Sequence, residues 1–205
     1  MADSLSPRGQ VLPTEWMLIS VVCQQLWRIW GQPMVDLFAS RLTHRLPMYM
    51  SPHQDQAAFA VDAMLQPWSN MDVYAFPPFA MIRDVINKFR LSQNCRMILI
   101  APWWPQREWF PDLVDLQVDV PKQLPLRRDL LLQPLGRQLH PNLLTLRLTG
   151  WRLSSVLEER NSFLEKCRLG LIRPDNNQPT TSTNTAGQFI SSGAGLINIQ
   201  PPGLL

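Results

Sequence analysis

Residues 72–110 read DVYAFPPFAMIRDVINKFRLSQNCRMILIAPWWPQREWF and decide the fold. The run at 72–76 is short, apolar and β-prone, and the double proline after it ends the strand because proline cannot donate to a ladder. Apolar residues recur at helical spacing through 82–89, and the apolar run at 97–100 is typical of a strand buried on both faces. The order of strand, helix and strand predicts a βαβ unit with a right-handed crossover.

Aromatic and proline-rich turns follow both predicted strands. Ligands of open α/β sheets bind beyond the carboxyl ends of the strands, so we expect any site to lie at these turns. Aromatic side chains there can stack on a nucleobase or can close the core, and the sequence leaves both interpretations open. The candidates are Phe76, Pro77, Pro78 and Phe79 for a base pocket, and Trp103 and Trp104 for stacking on nucleic acid.

The chain ahead of this unit predicts a helix that covers the sheet and one further strand. Thr14 can cap the helix, whose apolar residues recur through 19–30. Residues 34–40 read as the first strand. Asp36 within it needs hydrogen-bond partners, since an unpaired buried carboxylate is costly. Asp36 therefore either accepts backbone N–H groups from a neighbouring turn or lines a ligand pocket.

The segment between this strand and the central unit predicts loops and one short helix. The helix covers 57–65 and contains Asp62. His44, His53 and Asp55 fit no standard spacing of metal ligands, so we interpret the two histidines as exposed loop residues. No metal site is predicted.

Short elements follow the central unit. Residues 108–116 predict an amphipathic helix, and 151–171 predict a last helix. Residues 117–149 predict short strands, either on the sheet edge or in a meander. The composition then changes to Asn, Gln, Thr, Ser, Gly and Pro, which predicts a disordered tail over 174–205. The polar residues 1–13 read as a linker.

Length and composition bound the class of protein. The chain has 205 residues, which suits one domain and a tail. It is 45% hydrophobic with a net charge of +3, which permits contact with nucleic acid without requiring it. Its three cysteines are far apart and odd in number, which argues against a zinc site or a disulfide framework. No segment is typical of a signal peptide or a membrane span, so we predict an intracellular location, nuclear or cytoplasmic.

Several ordered segments resemble a family of mobile elements. MADSLSPRG resembles the end of the RNase H domain of retrotransposon polymerases, so the 1–13 linker would be a remnant of that domain. VDLFASRLTHRLPMYMS, AVDAMLQPW, YAFPPF, ILIAPWWPQREWF and GWRLS are similar to the region after RNase H in DIRS-type, tyrosine-recombinase retrotransposons. The resemblance implies a fragment of a Pol polyprotein, with the element's reverse transcriptase and RNase H as upstream partners.

The same region is similar to phage-type Dam DNA adenine methyltransferases, which use S-adenosylmethionine on a Rossmann-like sheet. This resemblance implies an α/β fold with a Rossmann-like (methyltransferase-like), mostly parallel sheet and flanking helices over 14–150. A C-terminal helix would follow over 151–173. The resemblance implies that the residues on the cofactor-binding side of the site are Asp36, Phe38 and Asp62.

The family's Asp/Asn-Pro-Pro-Tyr/Phe turn, which grips the adenine amino group, corresponds to residues 76–79. Phe76 stands where that family has Asp or Asn, and phenylalanine supplies no acceptor for the amino group. No glycine follows Phe38, so the backbone there does not favour a close approach by a cofactor. The resemblance therefore implies a scaffold that has lost its chemistry, with no catalytic residue and no cofactor.

Three functional hypotheses follow. One is a non-catalytic domain of a retroelement polyprotein that handles nucleic acid, and a second is a degenerate copy of the element without a function. The third is an enzyme, an S-adenosylmethionine-dependent DNA adenine methyltransferase. The charge balance and the aromatic residues predict weak, salt-sensitive binding to single-stranded nucleic acid.

Overall fold

The computed structural model describes residues 16–134, 140 and 143–172. The predicted linker, Thr14 and the predicted tail lie outside these residues. None of the helices within the described ranges is long and apolar enough to cross a membrane. The elements, in chain order, are β1 (Met17–Leu18), α1 (Ser20–Trp30), β2 (Val35–Asp36), β3 (Met50–Ser51), β4 (Ala60–Val61), β5 (Asp72–Ala75), α2 (Ile82–Leu91), β6 (Arg96–Pro102), α3 (Phe110–Asp115), β7 (Lys122–Gln123), β8 (Leu131–Leu132), α4 (Leu143–Leu146), β9 (Leu148–Ser154) and α5 (Leu157–Arg168).

β5, α2 and β6 form the predicted βαβ unit. β5 and β6 are parallel neighbours, with Val73 paired with Met97 and Ala75 with Leu99. The apolar residues of α2 that recur at helical spacing are all buried. The prediction of strand, helix and strand within residues 72–110 is therefore confirmed. The amphipathic helix predicted over 108–116 is also present, as α3.

Five strands form the central sheet, in the order β2-β5-β6-β9-β7. β2 pairs with β5 and β5 with β6 in parallel, whereas β9 runs antiparallel to both β6 and β7. β7 thus points in the same direction as β6. The strand predicted within 34–40 therefore lies beside the two strands of the βαβ unit, as β2 next to β5.

Backbone hydrogen bonds continue the sheet beyond β2. The amide of Asp36 donates to the carbonyl oxygen of Met48 at 2.9 Å, and the amide of Ala39 donates to that of Met50 at 3.2 Å. A parallel bridge joins Asp36 to Tyr49, and β3 pairs in parallel with β4. The continuous order is β4-β3-β2-β5-β6-β9-β7, and β9 alone among these strands is antiparallel.

The sheet buries both of its faces. Alternate side chains of β6 enter two separate cores, with Met97, Leu99 and Ala101 in the first and Ile98 and Ile100 in the second. α2 and α3 pack on the first face, and α1 and α4 pack on the second. The described chain is therefore a layered α/β structure with a mixed sheet and flanking helices.

Ion pairs connect the last strand and helix to the centre. Arg152 of β9 donates two hydrogen bonds of 2.8 Å to Asp72 of β5, and this pair spans the intervening β6. Arg96 of β6 binds Glu159 of α5 through Nε at 2.9 Å. Glu159 thus pairs α5 with the sheet.

The prediction of a helix over 57–65 is wrong. The backbone there pairs with β3, because the amide of Phe59 donates to Tyr49 and that of Asp62 to Ser51, both at 2.8 Å. Asp62 has a φ of 53°, which interrupts any regular helix. Only a 3-10 turn, Ala63–Leu65, remains helical.

The last helix was predicted to begin too early. Residues 148–154 form β9, in which Trp151 and Leu153 alternate into the first core, so their period is that of a strand. α5 starts at Leu157, and Leu157 and Leu164 remain 55% and 45% exposed. These two leucines are therefore not part of the core, although Phe163 of the same helix is buried.

The first helix and the first strand are both shorter than predicted. α1 begins at Ser20, because residues 17–18 pair as β1 with β8 and the amide of Ile19 donates to Leu130 at 3.0 Å. Of the strand predicted over 34–40, only the two residues of β2 form a regular strand.

α1 packs closely on the sheet at Gly150. A Cβ at this position would lie 3.0 Å from Leu26 Cδ2 and 3.4 Å from the Trp30 ring. We expect Gly150→Val to lower the free energy of unfolding by about 1–3 kcal/mol, since overpacking forces the helix outward. Gly150→Ala should cost less, because the flexible end of Leu26 can move. Urea denaturation measures both, and an unchanged midpoint for the valine variant would contradict this packing.

Candidate functional site

The aromatic residues after β5 and β6 meet at one edge of the sheet. The ring centroids of Phe76 and Phe79 are 6.4 Å apart, and those of Phe79 and Trp104 are 5.6 Å apart with an edge-on geometry. All three rings are half-buried. We call this row of Phe76, Phe79 and Trp104 the aromatic rim. The structure thus brings together residues that the sequence placed on two separate turns.

The double proline positions the rim. Pro77 is buried and Pro78 is exposed. Pro78 precedes a 3-10 turn, Phe79–Met81, and its carbonyl oxygen accepts from the Met81 amide at 2.8 Å. The chain therefore leaves β5 and turns directly into α2. This turn holds Phe79 against both cores.

Trp103 and Trp104 have different surroundings. The ring of Trp103 stacks on Trp151 with centroids 5.3 Å apart and meets the Phe110 ring edge-on at 5.2 Å. Trp103 therefore extends the first core. Trp104 packs against both cores and meets the Phe79 ring, so of the two predicted stacking residues it is the one that belongs to the rim.

A cation covers the outer end of the rim. The guanidinium of Arg107 lies 5.3 Å from the ring centroid of Trp104. Arg107 is exposed and forms no ion pair with any described residue. Its neighbour Glu108 binds Arg83 at 2.5 Å, so that charge is already compensated. Sequence reasoning missed Arg107; its position three residues after Trp104, in a proline turn, was the available signal.

Asp36 accepts a backbone N–H group from a turn, which was one of its two predicted roles. Its Oδ2 takes the amide of Arg45 at 2.9 Å, and the side chain is only 2% exposed. Burial raises the pKa of this carboxyl to about 7, while the amides of Arg45 and Phe38 and the Arg45 charge act in the opposite direction. The carboxyl lies on the sheet face beneath α1, beside Tyr74.

The other two residues assigned to a cofactor side have structural contacts. Phe38 is half-buried against the first core. Asp62 caps the 3-10 turn by accepting from the Met64 amide at 2.9 Å. Within the described part of the chain, no hydrogen bond joins Asp62 to Asp36.

Backbone amides of the turn after β2 find hydrogen-bond acceptors within the turn itself. The amide of Ser40 donates to Thr43 Oγ1 at 2.8 Å, and the amides of Thr43 and His44 donate to the Ser40 carbonyl oxygen at 3.1 Å. The Arg45 amide is taken by Asp36. A turn that cradles a nucleotide needs amides directed at the ligand. Here these amides already have partners.

The histidines lie in exposed loops, as predicted. The His44 ring stacks on Tyr49 with centroids 4.7 Å apart, and His53 is exposed. The Tyr49 hydroxyl donates to Asp55 at 2.6 Å. Across residues 16–134, 140 and 143–172, no group of three or more His, Cys, Asp or Glu side chains is suited to a metal ion.

The two tryptophans should respond differently to truncation. We expect Trp103→Ala to lower the free energy of unfolding by about 3–5 kcal/mol, because it leaves a cavity beside Trp151 and Phe110. Trp104→Ala should cost clearly less, since its ring lies at the rim. Urea denaturation of both variants tests the assignment, and equal losses would mean that Trp104 is as much a core residue as Trp103.

No protein-family model matches this chain, and no curated protein matches it either. The geometry of the aromatic rim is therefore the principal evidence that bears on function.

Proposed function

We propose that the chain is a non-catalytic nucleic-acid-binding module whose aromatic rim stacks on unpaired bases. The observation that carries this proposal is the placement of Phe76, Phe79 and Trp104 in one row, with Arg107 over Trp104 and in no ion pair with a described residue. Aromatic faces bind any base, and a nearby cation attracts the phosphate backbone. The net charge of +3 is compatible with this polyanionic ligand.

The strand order supports a Rossmann-like, methyltransferase-like assignment of the sheet. The chain runs outward from β2 through β3 to β4, and then returns to the other side of β2 as β5. The order reverses between β2 and β5, and ligands of open α/β sheets bind at such a reversal. Phe76 and Phe79 follow β5 at this position.

Two observations favour binding without methyl transfer. Phe76 offers no oxygen to an adenine amino group at the position where the resembled enzymes have Asp or Asn. The amides of Ser40, Leu42, Thr43 and His44 are engaged within their own turn, and that of Arg45 by Asp36. These engaged amides argue against the cradle that S-adenosylmethionine needs. The residues present do not fit this cofactor.

The resemblance to DIRS-type retroelements adds a biological setting to the proposal. In that setting the module accompanies the element's reverse transcriptase and RNase H, and it holds single-stranded template or product close to them. The second candidate function, a DNA adenine methyltransferase, is favoured only by the strand order and the Pro77-Pro78 turn.

We expect Trp104→Ala to weaken binding to single-stranded DNA. Stacking of one base on an aromatic ring contributes about 1–3 kcal/mol, so the dissociation constant should rise roughly 5- to 150-fold. Fluorescence anisotropy of a labelled oligothymidine measures the change. Arg168→Ala is the matched control, because that arginine is exposed on α5, outside the rim. Equal affinities of the parent, Trp104→Ala and Arg168→Ala would overturn the proposed role of the rim.

Arg107→Ala should weaken binding to single-stranded DNA by removing a positive charge. We expect the slope of log K against log salt to decrease by about 0.7, the value for one phosphate contact on a single strand. A lower affinity with an unchanged slope would show that Arg107 only supports Trp104.

Calorimetry should detect no binding of S-adenosylmethionine to the full chain. Phe76→Asn restores an acceptor at the turn but leaves the amides of Ser40 and of residues 42–45 engaged, so it should not bind either. Heat of binding in the parent would favour the methyltransferase alternative, and methylation assays on DNA would then decide between the two functions.

A further inference from the structure

A buried polar cluster lies beneath α1, away from the aromatic rim. It contains Cys23 of α1, Asp36 of β2 and Tyr74 of β5, which are at most 2% exposed. The thiol of Cys23 lies 3.9 Å from the Tyr74 hydroxyl. The charge that acts on Asp36 is that of Arg45, from the turn after β2. On the adjacent strand, the Tyr49 hydroxyl is bound to Asp55 instead.

The hydrogen bonds of this cluster leave the carboxyl group half satisfied. Asp36 Oδ2 accepts from the Arg45 amide, but among the described residues Oδ1 has no hydrogen-bond partner of normal geometry. The Arg45 guanidinium donates to Ser20 Oγ at 3.1 Å, and its buried Nε is also without a partner. Arg45 and Asp36 thus form no ion pair, although both belong to one cluster. An ionised carboxylate is poorly compensated in such a site.

The hydrogen bond from the Arg45 amide to Asp36 also holds residues 40–46 against the sheet. Arg45 is near one end of this segment, and Leu46 after it is buried in the second core. At the other end, the amide of Ala39 donates to Met50. Between these points Ser40 and Thr43 bond to each other, and the His44 ring stacks on Tyr49. The Arg45 guanidinium adds a hydrogen bond to Ser20 of α1.

We propose that residues 40–46 form a proton-controlled latch, which Asp36 holds closed as a neutral carboxylic acid and which opens when Asp36 ionises. The neutral acid accepts the Arg45 amide without an uncompensated charge. The carboxylate gains hydration only if water reaches it, and this requires the segment to leave the sheet. The latch lies beyond the carboxyl end of β2, where the strand order reverses, and it is independent of nucleic-acid binding.

The direction of the pH effect follows from linkage. Burial raises the pKa of Asp36 in the closed state to about 7, whereas the carboxyl of the open state is in water, with the ordinary value of 3.8. Between these two values the closed state holds a proton that the open state has lost. Opening therefore becomes about tenfold easier for each unit of rising pH and levels off above 7.

Hydrogen exchange on the full chain tests the latch. We expect the protection factor of the Arg45 amide to fall about a hundredfold between pH 4.5 and 6.5. In Asp36→Asn, whose side chain resembles the neutral acid and still accepts from Arg45, the protection factor should not change over this range. The amide of Ile98 in β6 serves as an internal reference. A flat profile in the parent, or the same slope in both proteins, would overturn the proposal.

A second measurement does not depend on the folding of a variant. The side-chain carboxyl carbon of Asp36 in the parent chain reports its own titration by NMR. We expect a midpoint near 7. A midpoint in the ordinary range of aspartate would show that the carboxyl is charged in the closed state and that the latch does not exist.

Discussion

The pairing of β6 along both of its edges is the constraint on which the rest of this structure depends. β6 pairs with β5 on one side and over seven residue pairs with β9 on the other. Because its backbone groups are satisfied laterally, its side chains are free to fill two cores. The helices then cover these cores, and the aromatic rim forms just after the carboxyl ends of β5 and β6.

Local sequence patterns were enough to predict much of the fold. The apolar spacing in residues 72–110 predicted β5, α2 and β6, since each of these elements has its own period and its own stop signal. β9 was missed because the leucines that flank Trp151 also fit a helical spacing. Its partner β6 lies about 50 residues earlier, and no local pattern reports such a pairing. The helix predicted over 57–65 failed for a related reason, because pairing with β3 and the positive φ of Asp62 override its propensity.

The aromatic rim was predictable in position but not in detail. The rule that ligands bind beyond the carboxyl ends of strands located the rim, and it needs only the strands and their direction. It does not distinguish Trp103 from Trp104, because that difference depends on Trp151, from a strand that the sequence analysis read as a helix. Arg107 lies in a turn whose direction no periodicity defines. The contact between Asp36 and Arg45 was one of two alternatives, and only the folded turn decides between them.

The antiparallel strand β9 also has a consequence for biosynthesis. It is the last strand that the described chain forms, yet it lies between β6 and β7. A nascent chain that has emerged only as far as residue 147 therefore displays one full edge of β6 without its partner. Such an edge is a template for pairing with other chains. Release of the C-terminal segment from the ribosome is thus the event that removes the aggregation hazard, and chains that terminate early would retain it.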